Sequence, residues 1–292
     1  MKFIKMHGIG NDFVMIDGRG LPKQDWASLA RQMCDRHFGV GADGLILVLP
    51  SQVGDLRMRM WNPDGSEAEM CGNGIRCLTK LALEQGIVHL SGNELKAETG
   101  AGVLGLRPVW RDGAVEAVGV NMGAPIFEPA LVPVALPPSS QVQTDARGVS
   151  WVRDYPLEVG GRALSVACVS MGNPHAVHFT DDPLEPFPLE VVGPQVERHP
   201  FFPNRVNFHL ARVQDRTHIR MRSWERGAGL TLACGTGACA VAVAAFQLGL
   251  TEPEVEVRLP GGALTVRWPG SGDVLMTGPA QTVFAGEWPE PE

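Results

Sequence analysis

Apolar and polar residues alternate along Leu56–Trp61 and again along His218–Trp224, the period-two pattern of half-buried strands. Each run leads through a polar or Gly-rich connection to a Cys-Gly-x-Gly element: Cys71-Gly72-Asn73-Gly74 in the first case, Cys234-Gly235-Thr236-Gly237 in the second. The period then changes. In "IRCLTKLALEQG" the apolar residues Ile75, Leu78, Leu81 and Ala82 recur at helical spacing, and Gly86 supplies a stop. "ACAVAVAAFQLG" is apolar almost all round as far as Gly249, the pattern of a helix buried on every side. Asp25–Arg36 reads as a further amphipathic helix. "LEVGGRALSVACV" and "VEVRLPGGALTVRW" are alternating runs interrupted at Gly-Gly, which predicts two hairpins with Gly-Gly turns.

The two cysteine blocks are copies of one another. Setting Cys71 against Cys234, an offset of 163, matches Arg57, Met58, Arg59 and Trp61 with Arg220, Met221, Arg222 and Trp224, and Gly72 and Gly74 with Gly235 and Gly237. At nearly the same offset Gly10-Asn11 falls on Gly172-Asn173. Matches in one order imply two copies of a structural unit. Duplication for packing alone would keep apolar residues in register, whereas Arg, Trp, Gly and Cys are kept here. The predicted fold is mixed, largely antiparallel α/β: two pseudo-symmetric units, each with strands wrapped around a central helix, and an active site in the cleft between them. One half is expected to comprise residues 1–120 with 279–292, the other residues 121–278. The five prolines within Gly123–Ser140 mark the connection.

Composition narrows the function. With 25 basic against 32 acidic residues the chain carries a formal charge of −7, which argues against a nucleic-acid or acidic-membrane binder. "MKFIKMHGIGNDF" has no signal-peptide apolar core, and no run is long enough to span a bilayer. Six cysteines without an export signal read as reduced thiols of a cytoplasmic protein. A small-molecule ligand is the expected partner, without nucleic acid or membrane.

A cysteine at a helix start has a specific chemical use. The first turn exposes unpaired N–H groups and the positive end of the dipole, which favours thiolate and also seats a carboxylate. Two such starts sharing one carboxylate would place a sulfur on either face of the adjacent carbon. One thiolate could then remove the Cα proton and the opposite thiol return one, inverting the centre. No lysine motif for a pyridoxal Schiff base stands out, so no cofactor is expected.

The residues that carry this reading resemble the diaminopimelate epimerase family, a group of cofactor-independent amino-acid racemases and epimerases. The resemblance runs through "MKFIKMHGIGNDFVMID", "RHFGVGADGLILV", "NPDGSEAEMCGNGIRC", "MGNPHAV", "HPFFPNRVNF" and "ERGAGLTLACGTGACA". It implies that Cys71 and Cys234 are the acid/base pair and that Gly72, Asn73, Gly235 and Thr236 hold the reacting carboxylate through backbone N–H groups. It implies further that Asn11, Asn62, Asn173 and Asn207 line the substrate site, and that Glu225 and Arg226 engage the far ammonium and carboxylate. The reaction implied is conversion of LL- to meso-diaminopimelate, a step toward lysine and cell-wall precursors, in a homodimer. Asn62-Pro63 stands where the second copy has Glu225-Arg226: the repeat keeps what the symmetric proton transfer needs and varies what reads an asymmetric substrate. The sequence departs from the family at Leu230, where an acidic residue is expected, and at Gly44, where some relatives carry a polar side chain.

Other residues receive plainer readings. Cys34, Cys77, Cys168 and Cys239 are expected to be core thiols. Zinc is not expected, because Cys71/Cys77 are too widely spaced and Cys234/Cys239 stand alone. His175 could tune a thiol or the substrate amine, or serve as a hydrogen-bonded structural histidine. Asp43, Asp64 and Glu69 read as solvated or capping residues, and Arg57, Arg59, Arg220 and Arg222 as structural or exposed. Two other functions fit less of the sequence: a racemase for another amino acid on the same scaffold, and a dithiol redox or metal-binding protein, which would call for a Cys-x-x-Cys motif that is missing.

Overall fold

The structure is a computed structural model that describes residues 1–137, 142–144 and 148–289; the end of the proline-rich stretch, residues 138–140, lies outside them. The chain forms two compact units, Met1–Asn121 with Thr277–Glu292, and Met122–Met276.

The first unit runs β1 (Lys2–Gly8), β2 (Asn11–Asp17), α1 (Trp26–Cys34), β3 (Gly44–Leu49), β4 (Leu56–Trp61), β5 (Glu67–Ala68), α2 (Gly72–Glu84), β6 (Leu95–Thr99), β7 (Gly102–Arg111) and β8 (Ala114–Asn121). The second runs β9 (Gln143–Thr144), β10 (Ser150–Trp151), β11 (Tyr155–Val159), β12 (Arg162–Ser170), β13 (Pro174–Phe179), α3 (Leu189–Glu197), β14 (Asn207–Asp215), β15 (His218–Glu225), β16 (Gly229–Thr231), α4 (Gly235–Gln247), β17 (Glu254–Leu259) and β18 (Gly262–Arg267). β19 (Leu275–Pro279) then returns the chain to the first unit, where β20 (Gln281–Glu287) lies antiparallel to β1.

The repeat seen in the sequence is a repeat of topology. β1–β2 and β12–β13 are antiparallel pairs, and β2–β3 and β13–β14 are parallel pairs bridged by α1 and α3. β3–β4 and β14–β15 are antiparallel, and β4–β6 and β15–β17 are parallel across α2 and α4. Even the register agrees, since Leu45 faces Trp61 as Phe208 faces Trp224.

Each unit wraps one helix. α2 touches β1, β2, β3, β7 and β8, and α4 touches β12, β13, β14, β15, β17 and β18. The strands from β1 to β8 span six spacings, about 29 Å at ~4.8 Å each, far more than a helix diameter of about 10–12 Å. A single helix reaches both ends only if the sheet curls around it. Ile75, Leu78 and Leu81 of α2 are buried, each contributing about 1.5–3 kcal/mol. α4 is buried on all sides, as its continuous apolar pattern predicts, and its many alanines let the strands close in. Both helices end alike. Gly86 and Gly249 sit just past the last turn at φ +64° and +76°. The bonds Gly86 N–H to Leu83 O and Ile87 N–H to Ala82 O recur as Gly249 to Phe246 and Leu250 to Ala245, a Schellman motif in each case.

Two expectations need correction. The second hairpin turns at Pro260-Gly261, because Gly262 already pairs with Leu259 as the first residue of β18. α3 was not foreseen, since Gly193 and Pro194 interrupt its apolar pattern. The repeat itself locates it: α1, at 26–34, and α3, at 189–197, stand at the offset of 163 that separates the cysteines. Among the described residues no helix is long and apolar enough to cross a membrane.

Candidate active site

Cys71 and Cys234 are the N-cap residues of α2 and α4. Both have extended backbone, φ −140° and −127°, and both accept the first helical bond through their carbonyl, from Ile75 N–H at 2.8 Å and from Ala238 N–H at 2.9 Å. The following N–H groups have no partner within the helix and point out of its start. Gly74 and Gly237 let each helix start settle onto the strand beneath. A Cβ at Gly74 would lie 2.5 Å from Ile46 Cδ1, and one at Gly237 would lie 2.4 Å from His209 Cε1. Residues 46 and 209 hold equivalent places, paired across the next strand with Met60 and Ser223.

In the first unit Cys71 is half-buried, and its sulfur lies 3.6 Å from Asn11 Oδ1. Asn73 Nδ2 donates to the same oxygen at 3.1 Å, and Asn73 Oδ1 accepts from the fully buried Arg76 at 2.9 Å. On the other side Asn11 Nδ2 donates to Asp43 Oδ2 at 2.7 Å, and Arg36 bridges Asp43 at 2.7 Å and Asp12 at 2.8 Å. Lys5 completes the group, 2.7 Å from Asp12. Burial tends to raise the Asp12 carboxyl, but hydrogen bonds from Arg36 and Lys5 outweigh it and hold the group down at about 2. Asp43, read from sequence as a solvated or capping residue, is thus built into an ion network behind Asn11. Asn62 is not brought into this network; its amide donates to Ser66 Oγ at 3.0 Å within its own turn.

In the second unit Cys234 is buried. Burial, together with the adjacent Glu225 carboxyl, pushes its thiol well above the ordinary range, against smaller pulls from the Gly237 N–H and the Thr236 hydroxyl. Glu225 is itself raised by burial, while Cys234 and Thr231 act to lower it; the Thr231 hydroxyl donates to Oε1 at 2.5 Å. The sequence reading sends Glu225 with Arg226 to the far end of a substrate, yet the structure sets its carboxyl against the sulfur. Arg226 is exposed and donates to Asn204 O at 3.0 Å. Asn207 is fixed by two backbone groups, donating to Pro174 O at 3.0 Å and accepting from Arg226 N–H at 2.9 Å. Asn173 lies between Thr236 Oγ1, at 3.4 Å, and His175 Nε2, at 2.9 Å.

His175 proves to be one link in a buried polar chain. Its Nδ1 is 2.9 Å from His209 Nε2, and His209 Nδ1 is 2.9 Å from Ser223 Oγ. Burial pushes both imidazoles down, His209 to about 3 and His175 well below the ordinary value, so both rings are neutral. His209, Ser223 and Arg76 escaped the sequence reading. The signal for all three was available: the residues at the 163-residue offset are Ile46, Met60 and Cys239, so each position trades an apolar or thiol side chain for a polar one within an otherwise matched block.

The departures from the family pattern have local explanations. Gly44 pairs with Phe13 as Asn207 pairs with His175, and a Cβ at Gly44 would meet Met60 Cε at 2.8 Å and Trp61 O at 3.1 Å. A side chain there would have to move the Met60 tip aside and press on the Trp61 carbonyl. Leu230 is exposed on β16, so it displaces no buried hydrogen bond. Cys34, Cys77, Cys168 and Cys239 are buried thiols; burial raises Cys34 and Cys77 to about 12 and pushes Cys168 up as well, as expected of inert core cysteines. Arg57, Arg59 and Arg220 pair with Glu98, Glu67 and Glu185, and Arg222 holds the carbonyls of Leu184 and Phe187.

Comparison with known proteins identifies the family and the fold. The family model for diaminopimelate epimerase matches residues 3–128 and 167–283. The diaminopimelate epimerase of Moorella thermoacetica is 49% identical over 292 residues, covering 99% of each chain. That of Acetivibrio thermocellus is 46% identical over 288 residues, covering 98% of each. Among solved structures, a probable proline racemase from Agrobacterium radiobacter with bound carbonate has a TM-score of 0.70 at 18% identity, covering 99% of this chain and 92% of its own. A phenazine biosynthesis protein of the PhzF family from Bacillus anthracis has a TM-score of 0.69 at 18% identity, covering 99% of both. At that identity the two structures speak for the fold alone, whereas the sequence matches run end to end. The chain belongs to the diaminopimelate epimerase family.

Proposed function

We propose that the protein converts LL-2,6-diaminopimelate to meso-diaminopimelate without a cofactor, with Cys71 and Cys234 as the proton-transfer pair. The observation that carries this reading is the matched placement of the two thiols, each the N-cap of a buried 13-residue helix on the same strand framework. In the reaction one sulfur, as thiolate, takes the Cα proton and becomes a thiol. The other, as thiol, gives its proton to the opposite face of the same carbon and becomes a thiolate. The substrate gains and loses one proton and differs only in handedness, and the two sulfurs have exchanged protonation states.

The Cα–H is a very weak acid, so the carbanionic state must be held by fixed donors in a site from which water is excluded. The N–H groups of Gly72 and Asn73 and of Gly235 and Thr236 are the donors assigned to the carboxylate beside the reacting carbon. Asn11, Asn62, Asn173 and Asn207 are assigned to the amines and the substrate body, and Arg226 to the far carboxylate, where a guanidinium fits two oxygens at once. Glu225 is assigned to the far ammonium from family likeness; its contact with Cys234 adds influence over that thiol's proton. We further read the protein as a cytoplasmic homodimer of the lysine pathway, on the same likeness.

The deciding experiment incubates the reduced protein with LL-diaminopimelate in deuterated water and follows Cα exchange together with meso product. Exchange with inversion is expected, and its loss in both Cys71→Ala and Cys234→Ala. Folded, reduced protein that exchanges no Cα proton would overturn the substrate assignment, and a panel of other amino acids would then identify the racemase alternative.

A further inference from the structure

We propose that His209, backed by Ser223, is a positioning residue: acting through His175 and Asn173, it turns the Thr236 hydroxyl toward the sulfur of Cys234. The kinetic consequence rests on the epimerase reading; the geometry does not.

The five links have heavy-atom separations of 2.9 Å from Ser223 Oγ to His209 Nδ1, 2.9 Å from His209 Nε2 to His175 Nδ1, 2.9 Å from His175 Nε2 to Asn173 Oδ1, 3.4 Å from Asn173 Nδ2 to Thr236 Oγ1 and 3.8 Å from Thr236 Oγ1 to Cys234 Sγ. A neutral imidazole has one donor and one acceptor, so fixing any one member fixes the rest. The orientation of the Asn173 carboxamide shows which polarity the chain takes. Its nitrogen is turned to Thr236 and its oxygen to His175, and an amide oxygen only accepts. His175 must therefore carry its proton on Nε2, which leaves Nδ1 as acceptor. His209 must then donate from Nε2 and accept at Nδ1, and the Ser223 hydroxyl donates to it. At the other end Thr236, accepting from Asn173, has its own proton free for the sulfur. A hydroxyl donating to sulfur favours the thiolate, the state that the buried surroundings of Cys234 otherwise oppose. Reversing the chain would point the Thr236 hydroxyl at Asn173 and remove that donor.

The fold does not require this chain. The first unit builds the same floor beneath α2 from Phe13, Ile46 and Met60, at the positions of His175, His209 and Ser223. Both Ile46 and His209 lie directly against the helix glycine above. Of these two floors, the one under Cys234 is polar with its hydrogen bonds closed, and a buried imidazole would cost stability unless partnered. Its partners here lead to the sulfur.

The test is nitrogen-15 NMR of the imidazoles with kinetics on the same preparations. The wild type is expected to show His175 and His209 as neutral rings protonated on Nε2. His209→Ile copies the first unit's own residue, so it is expected to fold; it should shift the His175 tautomer and lower kcat about tenfold, with a smaller change in KM. His209→Gln, whose amide can still donate to His175 Nδ1, should recover most of both. A wild-type His175 protonated on Nδ1 overturns the proposal whatever the variants do. So does a His209→Ile protein with unchanged kcat. If the wild type epimerises nothing, the functional reading fails by itself, and the tautomers still decide whether the relay exists.

Discussion

The starts of α2 and α4 share a backbone and differ in what lies behind it. Behind Cys71 the hydrogen-bond chain ends in fixed charges: Arg76 can only donate and Asp43 can only accept, so the two carboxamides between them, Asn73 and Asn11, have one allowed orientation, with Asn11 Oδ1 on the sulfur. Behind Cys234 the chain is neutral from Ser223 to Thr236, and its polarity is set by tautomers and rotors. Asn11 thus offers its oxygen toward its helix start, and Asn173 its nitrogen. Duplication supplied matched positions for two thiols, and divergence beneath them gave each sulfur a different set of neighbours.

The largest test of that contrast removes the charge that orders the first unit. Arg76 has no exposed surface and donates to Gly72 O, Pro279 O and Asn73 Oδ1. Arg76→Met should destabilise the first unit by about 3–5 kcal/mol, the cost of orphaning buried acceptors in a polar network, measured as a loss in urea denaturation. A change below about 1 kcal/mol would show that the carbonyls find other donors and that the orientation of Asn73 does not depend on Arg76.

Next come the glycines on which each helix rests. An alanine at either position must displace the residue below. At Gly74 that is the free end of Ile46, whereas at Gly237 it is a ring held at both nitrogens, with the Cys234 sulfur also 2.9 Å away. Gly237→Ala should cost about 1–3 kcal/mol as overpacking and reduce turnover. Gly74→Ala should cost less on both measures; equal losses would mean that the histidine chain is no more rigid than an isoleucine.

The dependence on pH should have opposite signs in the two units. Asp12 is held at about 2, below its ordinary value of 3.8. Its contribution is therefore complete above about pH 4 and lost as pH falls toward 2, on the order of 1–2 kcal/mol. Glu225 is shifted upward, so the folded protein binds the extra proton, and that contribution fades as pH rises from the ordinary carboxyl value through the raised one. Asp12→Asn should flatten the acid side of the stability profile and Glu225→Gln the higher side. If neither variant alters its side, the two shifts are absent in solution.

Most of the framework was legible because its signals are local. Alternation gave β4 and β15, apolar spacing gave α2, all-round apolarity gave the burial of α4, and the Cys-Gly-x-Gly blocks gave both helix starts. α3 was hidden by Gly193 and Pro194, whose helical setting comes from packing against β14, β15 and β16, not from propensity. The thiols and their asparagines were read from motif. Arg76 and His209 were missed because nothing in their immediate sequence reports burial, and the role of Asp43 because nothing there reports its pairing with Arg36 and Asn11: a buried Arg within a helix looks solvated, and an Asp in a loop looks unpaired, until tertiary contacts form. Comparing the two copies position by position, at 46 against 209 and 60 against 223, carries that information where a single-copy reading cannot.

The smallest effect tests where the two units should not differ. Gly86 and Gly249 end their helices in the same left-handed backbone, with the same two bonds closing the last turn, and a Cβ at either would meet no atom within 4 Å. The cost of an alanine there is then purely the strain of a side-chain-bearing residue at positive φ, about 1 kcal/mol. Gly86→Ala and Gly249→Ala should each lower stability by that amount, equally, and leave turnover unchanged. This pair calibrates the others: the helix C-termini report backbone that duplication left alike, so an inequality between Gly74→Ala and Gly237→Ala larger than that between Gly86→Ala and Gly249→Ala belongs to the divergence beneath the sulfurs. Should the C-terminal pair differ as much as the N-terminal pair, the asymmetry would lie in the overall stability of the two units, and the contrast drawn between their helix starts would lose its meaning.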